Sequence, residues 1–140
     1  MRTRIGLLQS VVELLGIVLI RFRPVQRIWG TWLIGVNGAC LLFITHIEAQ
    51  VALAAVGVAV LAQALIYQRK CFIRLLGVTH IIWVPMLVWM ALRLDTLPEG
   101  DIAFHVWLVT LIATNAVSLA IDAWDATRFL GGERQPYYVW

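Results

Sequence analysis

Five long runs of apolar residues, separated by short polar segments, dominate this sequence of 140 residues. A helix that crosses the hydrocarbon core of a bilayer needs about 20 apolar residues, with a range of roughly 17–25. The second, fourth and fifth runs meet this length, the third is slightly short, and the first is the shortest and contains Gln9, Ser10 and Glu13. The five runs cover residues 5–20, 28–47, 51–67, 73–92 and 102–121.

The composition excludes a soluble globular domain. Hydrophobic residues make up 61% of the chain and charged residues 14%, whereas soluble domains contain about 45–50% and about 25%. A soluble domain of this size buries only about two-thirds of its unfolded surface, so it could not hide this much apolar area. A disordered chain and a nucleic-acid-binding module are excluded on the same grounds, and no nucleic-acid partner is expected. We therefore predict an all-α integral membrane protein, a bundle of five transmembrane helices, or of four if the first run does not cross.

The chain is predicted to form a single transmembrane helical domain over residues 1–140. Gly131 and Gly132 favour a helix end, so the fifth helix is expected to continue past its apolar run to residue 130. Residues 131–140 would then form a short cytoplasmic tail. The predicted helices cover residues 5–20, 28–47, 51–67, 73–92 and 102–130.

Charge distribution predicts the orientation of the bundle in the lipid bilayer. The segments at residues 21–27 and 68–73 are basic, whereas those at 46–50 and 93–101 are acidic or mixed. Because cytoplasmic loops carry an excess of Lys and Arg, the two basic segments are predicted to face the cytoplasm of a bacterial inner membrane. Five crossings then place the N-terminus outside and the C-terminus in the cytoplasm, although Arg2 and Arg4 oppose this orientation.

Polar residues inside the apolar runs are the candidate functional residues, since such groups are costly in lipid. The rise of a helix places His80 and Asp122 at similar depth, and the short connection between the last two helices makes them neighbours. We therefore predict a hydrogen bond from His80 to Ser118 or Asp122. The group is interpreted either as a polar pocket or proton pathway open to the cytoplasm, or as an internal network that fixes helix register. Its members are Glu13, Asn37, His80, Asn115, Ser118 and Asp122.

Two further sets of side chains are candidates for sites. Asp125 and Arg128 are three residues apart at the end of the fifth helix, which predicts a cytoplasmic salt-bridge network. His46 and His105 form the only candidate for a metal site, at the outer rim, but their spacing matches no metal motif. A haem inside the bundle is not expected, because His80 and His105 are offset by most of the membrane and His46 and His105 lie only at the outer rim. No cofactor and no metal are predicted.

Three functions are compatible with these features. The lack of a catalytic or phosphate-binding motif and the Ala- and Gly-rich helix faces favour a non-catalytic subunit or scaffold that packs with itself or with another membrane protein. The intramembrane polar group would instead suit a small transporter or channel unit. It would also suit a membrane-embedded enzyme that acts on a lipid or isoprenoid at the cytoplasmic face, with His80 and Asp122 as acid and base.

Overall fold

A computed structural model describes residues 6–70, 74–98 and 100–134 of the chain, and all of its regular structure in these ranges is helical. The predicted starts of the first and fourth helices, at residues 5 and 73, lie outside the described residues, as do Glu99 and the end of the tail. The five α-helices are α1 (Leu7–Gly16), α2 (Pro24–Gly38), α3 (Ile47–Lys70), α4 (Trp83–Arg93) and α5 (Ile102–Leu130).

Four segments of non-α helix extend three of these elements, α1, α2 and α4. A π-helical turn, Ile17–Arg21, continues α1, and a short 3₁₀ helix, Ala39–Phe43, continues α2. The fourth apolar run, predicted as one helix, instead begins with a 3₁₀ helix, Arg74–Ile82, that leads into α4. Another 3₁₀ turn, Leu94–Thr96, follows α4. Runs of 3₁₀ helix longer than about four residues are uncommon, so the stretch before α4 indicates that its packing requires the 3₁₀ geometry.

Three helix ends follow from local sequence signals. Helix α2 begins at Pro24, four residues before the predicted start, because proline is tolerated in the first turn where its missing N–H is not needed. The Asp101 side chain accepts a 3.0 Å hydrogen bond from the backbone N–H of Phe104 and caps α5. That helix ends at Leu130 as predicted, and Gly132 adopts a φ of 103°, which favours glycine.

Helices α2 and α5 pack antiparallel, so the start of α2 and the end of α5 lie at the same end of the molecule. Across α2 and α5, Trp32 donates to Thr114, whereas Trp107, further back along α5, donates to the backbone of Val36. We call the end that holds residues 21–24 and the C-terminus of α5 the basic end, because Arg23, Arg27 and Arg69 lie there. Residues 21–27 and the described part of the second basic connection, residues 68–70, therefore lie at one end of the molecule.

The core has two parts. The larger one lies between α2, α3, α4 and α5 and includes Trp83, Met90, Trp107 and Leu108. The smaller one joins α1 to the end of α3, through Leu14, Ile17, Ala64, Tyr67 and Leu76.

Many large apolar side chains remain on the outside of the bundle, including Leu8 (78% exposed), Leu42 (81%) and Leu92 (76%). Among the described residues, three helices are long and apolar enough to cross a membrane: Ile47–Arg69, Leu76–Thr96 and Ile102–Leu130. The first two predicted spans are instead divided, at Ile17 and at Ala39, into shorter helical pieces.

Candidate functional site

His80 and Asp122 form the central contact of the candidate site. His80 Nδ1 lies 2.8 Å from Asp122 Oδ2, and the two side chains are only 13% and 17% exposed. This confirms the predicted contact between the fourth and fifth helical segments, and it selects Asp122 rather than Ser118 as the partner. Ser118 is buried on α5 one turn before Asp122.

The side chain of Gln63 on α3 is the second polar partner of this histidine. Gln63 Nε2 lies 2.9 Å from His80 Nε2 and 3.5 Å from the backbone oxygen of Leu76. In the tautomer in which His80 Nε2 accepts from the Gln63 amide, the ring proton lies on Nδ1 and is donated to Asp122. The three side chains therefore form a directed chain from Gln63 through His80 to Asp122.

The 3₁₀ geometry of Arg74–Ile82 brings this chain onto α5. In a 3₁₀ helix residues three apart share a face, so Gly77, His80 and Trp83 follow one another along it. The Trp83 ring stacks on His80 with centroids 4.0 Å apart. A Cβ atom at Gly77 would lie only 2.6 Å from Asp122 Cγ, so only glycine allows the carboxylate to approach this closely. Trp83 Nε1 is, within the described ranges, the one buried side-chain polar atom without a hydrogen-bond partner.

Asn37 and Asn115 form a second, separate pair between α2 and α5. Asn37 Nδ2 donates to Asn115 Oδ1 at 2.8 Å, and Asn115 Nδ2 donates to Asn37 Oδ1 at 3.0 Å. Asn37 Nδ2 also lies 2.9 Å from the backbone oxygen of Leu33. Both side chains are buried. A reciprocal amide pair of this kind satisfies its own polar groups and fixes the register of two helices.

Glu13 belongs to a third cluster, on α1. The Tyr67 hydroxyl donates to Glu13 Oε2 at 2.8 Å, and Gln9 Nε2 donates to Glu13 Oε1 at 3.2 Å. Tyr67 and Gln63 are one turn apart on one face of α3, so the Glu13 cluster and the His80 chain use neighbouring positions of this helix but different hydrogen-bond partners. Five of the six residues predicted as one pocket are held in three hydrogen-bonded groups, and Ser118 is buried on α5 outside them. Their assignment to a functional site stays a prediction.

Near the end of α5, Arg128 is paired with Glu133 of the tail. Arg128 donates to Glu133 through Nε at 2.9 Å and Nη2 at 2.6 Å. Asp125, one turn before Arg128, is buried. The predicted salt bridge between Asp125 and Arg128 stays a prediction.

At the opposite end, the two candidate metal ligands have other partners. His46 Nε2 lies 3.3 Å from Asp101 Oδ2, and its ring stacks on Phe104 with centroids 3.8 Å apart. His105 Nδ1 lies 3.3 Å from the backbone oxygen of Asp101. No group of three or more His, Cys, Asp or Glu side chains that could hold a metal ion occurs in the parts of the chain that the structure describes.

Three residues that form polar contacts between helical segments are not among the candidates predicted from the sequence. Gln63 and Tyr67 lie four residues apart in the alanine-rich third run, and this spacing was the available signal that they share a face. Glu48, assigned to an outer loop, instead lies buried in the first turn of α3 and accepts a 2.8 Å hydrogen bond from Arg93 on α4.

The chemistry of these side chains is the basis for assigning a function. A carboxylate, an imidazole and an orienting amide can hold or transfer a proton, whereas the paired asparagines and the Glu48–Arg93 pair hold helices together. Comparisons with known protein families, with curated proteins and with solved structures find no match to this chain.

Proposed function

We propose that the chain is a small polytopic inner-membrane protein of the bacterial type, with five crossing segments, its N-terminus outside and its C-terminus in the cytoplasm. Large apolar side chains face outward from every α-helix, for example Leu8, Ile28, Val58, Val88 and Ile102. Exposed apolar surface of this extent favours association in water, whereas in lipid it is the expected helix surface. The cluster of arginines at the basic end supports the orientation.

Within the membrane, the proposed role is that of a non-catalytic subunit or scaffold. The observation that carries this proposal is that buried polar side chains have partners on other helices. Asn37 pairs with Asn115, and Glu48 pairs with Arg93, so α2 is joined to α5 and α3 to α4. Arg93 also lies 4.9 Å from the centre of the Trp89 ring. Such contacts define a rigid bundle and direct few polar groups outward.

The proposed scaffold packs with further copies of itself or with another membrane protein. A groove of about 500 Å³ between α3 and α4 supports this role, because it is uncharged and includes small side chains. Small residues let the backbones of two membrane helices approach closely. The residues that matter for this contact are Ala54 and Ala55 on α3, with Pro85 and Trp89 on α4.

The test is the mass of the particle extracted from native membranes in a mild detergent. We expect a particle larger than one chain, which dissociates in Ala54→Leu because the added side chain fills the groove. Gly57→Leu is the matched control on the same helix, since a Cβ atom there meets nothing within 4 Å and Gly57 does not line the groove. A particle of single-chain mass in several mild detergents, with no associated protein, would contradict the scaffold role.

The Gln63–His80–Asp122 chain favours a second candidate, acid–base chemistry. A carboxylate that orients an imidazole is the arrangement of general bases and of proton carriers. It would serve a transporter unit, or an enzyme that acts on a lipid or isoprenoid at the cytoplasmic face. Proteoliposomes that contain a pH-sensitive dye test the transporter: proton flux that Asp122→Asn abolishes would support it, and flux equal to that of empty vesicles would contradict it.

The enzyme requires a different assay. Purified protein would be incubated with lipid extracted from its own membranes, and the lipid masses compared before and after. A change in mass that is lost in His80→Gln would support the enzyme. Unchanged lipid masses with both proteins would leave the scaffold as the better account.

A further inference from the structure

A second groove, of about 650 Å³, lies on the outside of the bundle between α2 and α5. We call it the Arg27 groove. Thr31 and Gly35, one helical turn apart, line it, and Ala39 follows one turn later. Trp107 of α5 and the half-exposed Trp32 also line it, and Trp32 is held by its hydrogen bond to Thr114.

The Arg27 groove runs along the helix axis for about one leaflet. From Arg27 to Ala39 the chain rises by roughly 18 Å at about 1.5 Å per residue. Half of a hydrocarbon core of about 30 Å is a similar length. Arg27 is at the basic end, so the groove begins where lipid headgroups would lie and ends near the middle of the bundle.

Charge defines the occupant that suits this groove. Arg27 is exposed and lines the groove, and it forms no ion pair with an acidic side chain within the described ranges. A second copy related by a two-fold axis along the membrane normal would bring its own Arg27 to the same seam, where like charges repel. An anionic group at the headgroup level is instead attracted to an arginine, which can bind phosphate oxygens with two parallel hydrogen bonds.

We propose that the Arg27 groove binds an anionic phospholipid of the surrounding bilayer, with its phosphate on Arg27 and an acyl chain along Thr31, Gly35 and Ala39. The inference rests on the proposed insertion of the chain in a membrane. Basic pockets between helices at the cytoplasmic side are suited to anionic headgroups, and the apolar lining adds the contact that a free phosphate could not make.

The experiment is native mass spectrometry of the detergent-purified protein with phosphatidylglycerol or phosphatidylcholine of the same acyl chains. We expect phosphatidylglycerol to be retained preferentially, by about fivefold for one arginine near the headgroup level. Arg27→Gln should remove this preference, whereas Arg23→Gln, at a neighbouring exposed arginine that does not line the groove, should keep it. Inorganic phosphate should not displace the lipid, and displacement by phosphate would overturn the role of the acyl chain.

Gly35→Leu tests the apolar part of the groove, and it should lower the retention of both lipids. For phosphatidylglycerol the decrease should be at least as large as in Arg27→Gln. A Cβ atom at Gly35 or at the control position Gly38 meets nothing within 4 Å, so both leucine variants should fold, which circular dichroism would check. Equal retention of both lipids by the wild type, or loss of preference in Arg23→Gln alone, would overturn the proposal. A dimer that Gly35→Leu dissociates would overturn it in favour of a second copy. Alkaline extraction of membranes reads out insertion separately, so a protein that stays in the membrane without lipid preference contradicts only this inference.

Discussion

Gly77→Ala is expected to destabilise the protein, because the new methyl group would enter the space of the Asp122 carboxylate. The added Cβ would lie 2.6 Å from Asp122 Cγ and 3.2 Å from Asp122 Cβ, well inside van der Waals contact. Since Asp122 is held by His80 at 2.8 Å, it cannot move away without losing that hydrogen bond. The alternative is that the 3₁₀ segment separates from α5.

The size of the effect follows from two opposing contributions. Overpacking of a tight contact costs about 1–3 kcal/mol. Alanine is preferred over glycine in a helix by about 0.5–1 kcal/mol, which offsets part of that cost. We expect a net loss of about 1–2 kcal/mol in the free energy of unfolding, or a decrease of roughly 4–8 °C in the midpoint of thermal unfolding.

The assay is thermal unfolding in detergent, followed by circular dichroism, with Gly57→Ala as the control. A Cβ atom at Gly57 meets nothing within 4 Å, so this variant should be neutral or slightly more stable. In an Asp122→Ala background the cost of Gly77→Ala should largely disappear, which gives a coupling energy of about 1 kcal/mol. Equal midpoints for Gly77→Ala and Gly57→Ala would refute the close approach of Gly77 and Asp122.

Two further predictions concern the other polar clusters. Asn37→Leu and Asn115→Leu should each lower the free energy of unfolding by about 1–2 kcal/mol, because each leaves a buried amide without its partner. In thermal unfolding the double variant should lose less than the sum of the two single losses. Additive losses would contradict the pairing. Glu13→Gln should leave the midpoint of thermal unfolding nearly unchanged, since the amide oxygen still accepts from Tyr67. Glu13→Leu should lower the midpoint by the equivalent of about 1 kcal/mol in the free energy of unfolding. Tolerance of leucine would contradict the Tyr67 contact.

The sequence was sufficient to predict contacts that depend on helix spacing and on short connections. A contact of His80 with Ser118 or Asp122 follows from their similar depth and from the adjacency of the last two helices, whereas the choice of Asp122 does not. The end of α5 at Leu130 follows from Gly131 and Gly132, whose backbone freedom favours a helix stop. These features are local or nearly local, so periodicity and turn residues determine them.

Contacts that depend on rotation of one helix against another could not be predicted in this way. Tyr67, at the end of the third apolar run, is buried and donates to Glu13 on α1. The early start of α3 at Ile47 depends on Glu48 being buried against Arg93, a partner 45 residues away. The 3₁₀ geometry before α4 is coupled to the fit of Gly77 on Asp122, which no local preference encodes.

The central claim, a bundle that crosses a membrane with its basic end in the cytoplasm, is tested most directly by cysteine accessibility. Arg23→Cys and Asp95→Cys would be made singly in a background that carries Cys40→Ala and Cys71→Ser, because both positions are exposed and lie at opposite ends of the bundle. Intact spheroplasts would be treated with a membrane-impermeant maleimide before and after permeabilisation. The account predicts that Asp95→Cys is labelled from outside and that Arg23→Cys is labelled only after permeabilisation. Labelling of both positions from the same side, or the reverse pattern, would contradict it.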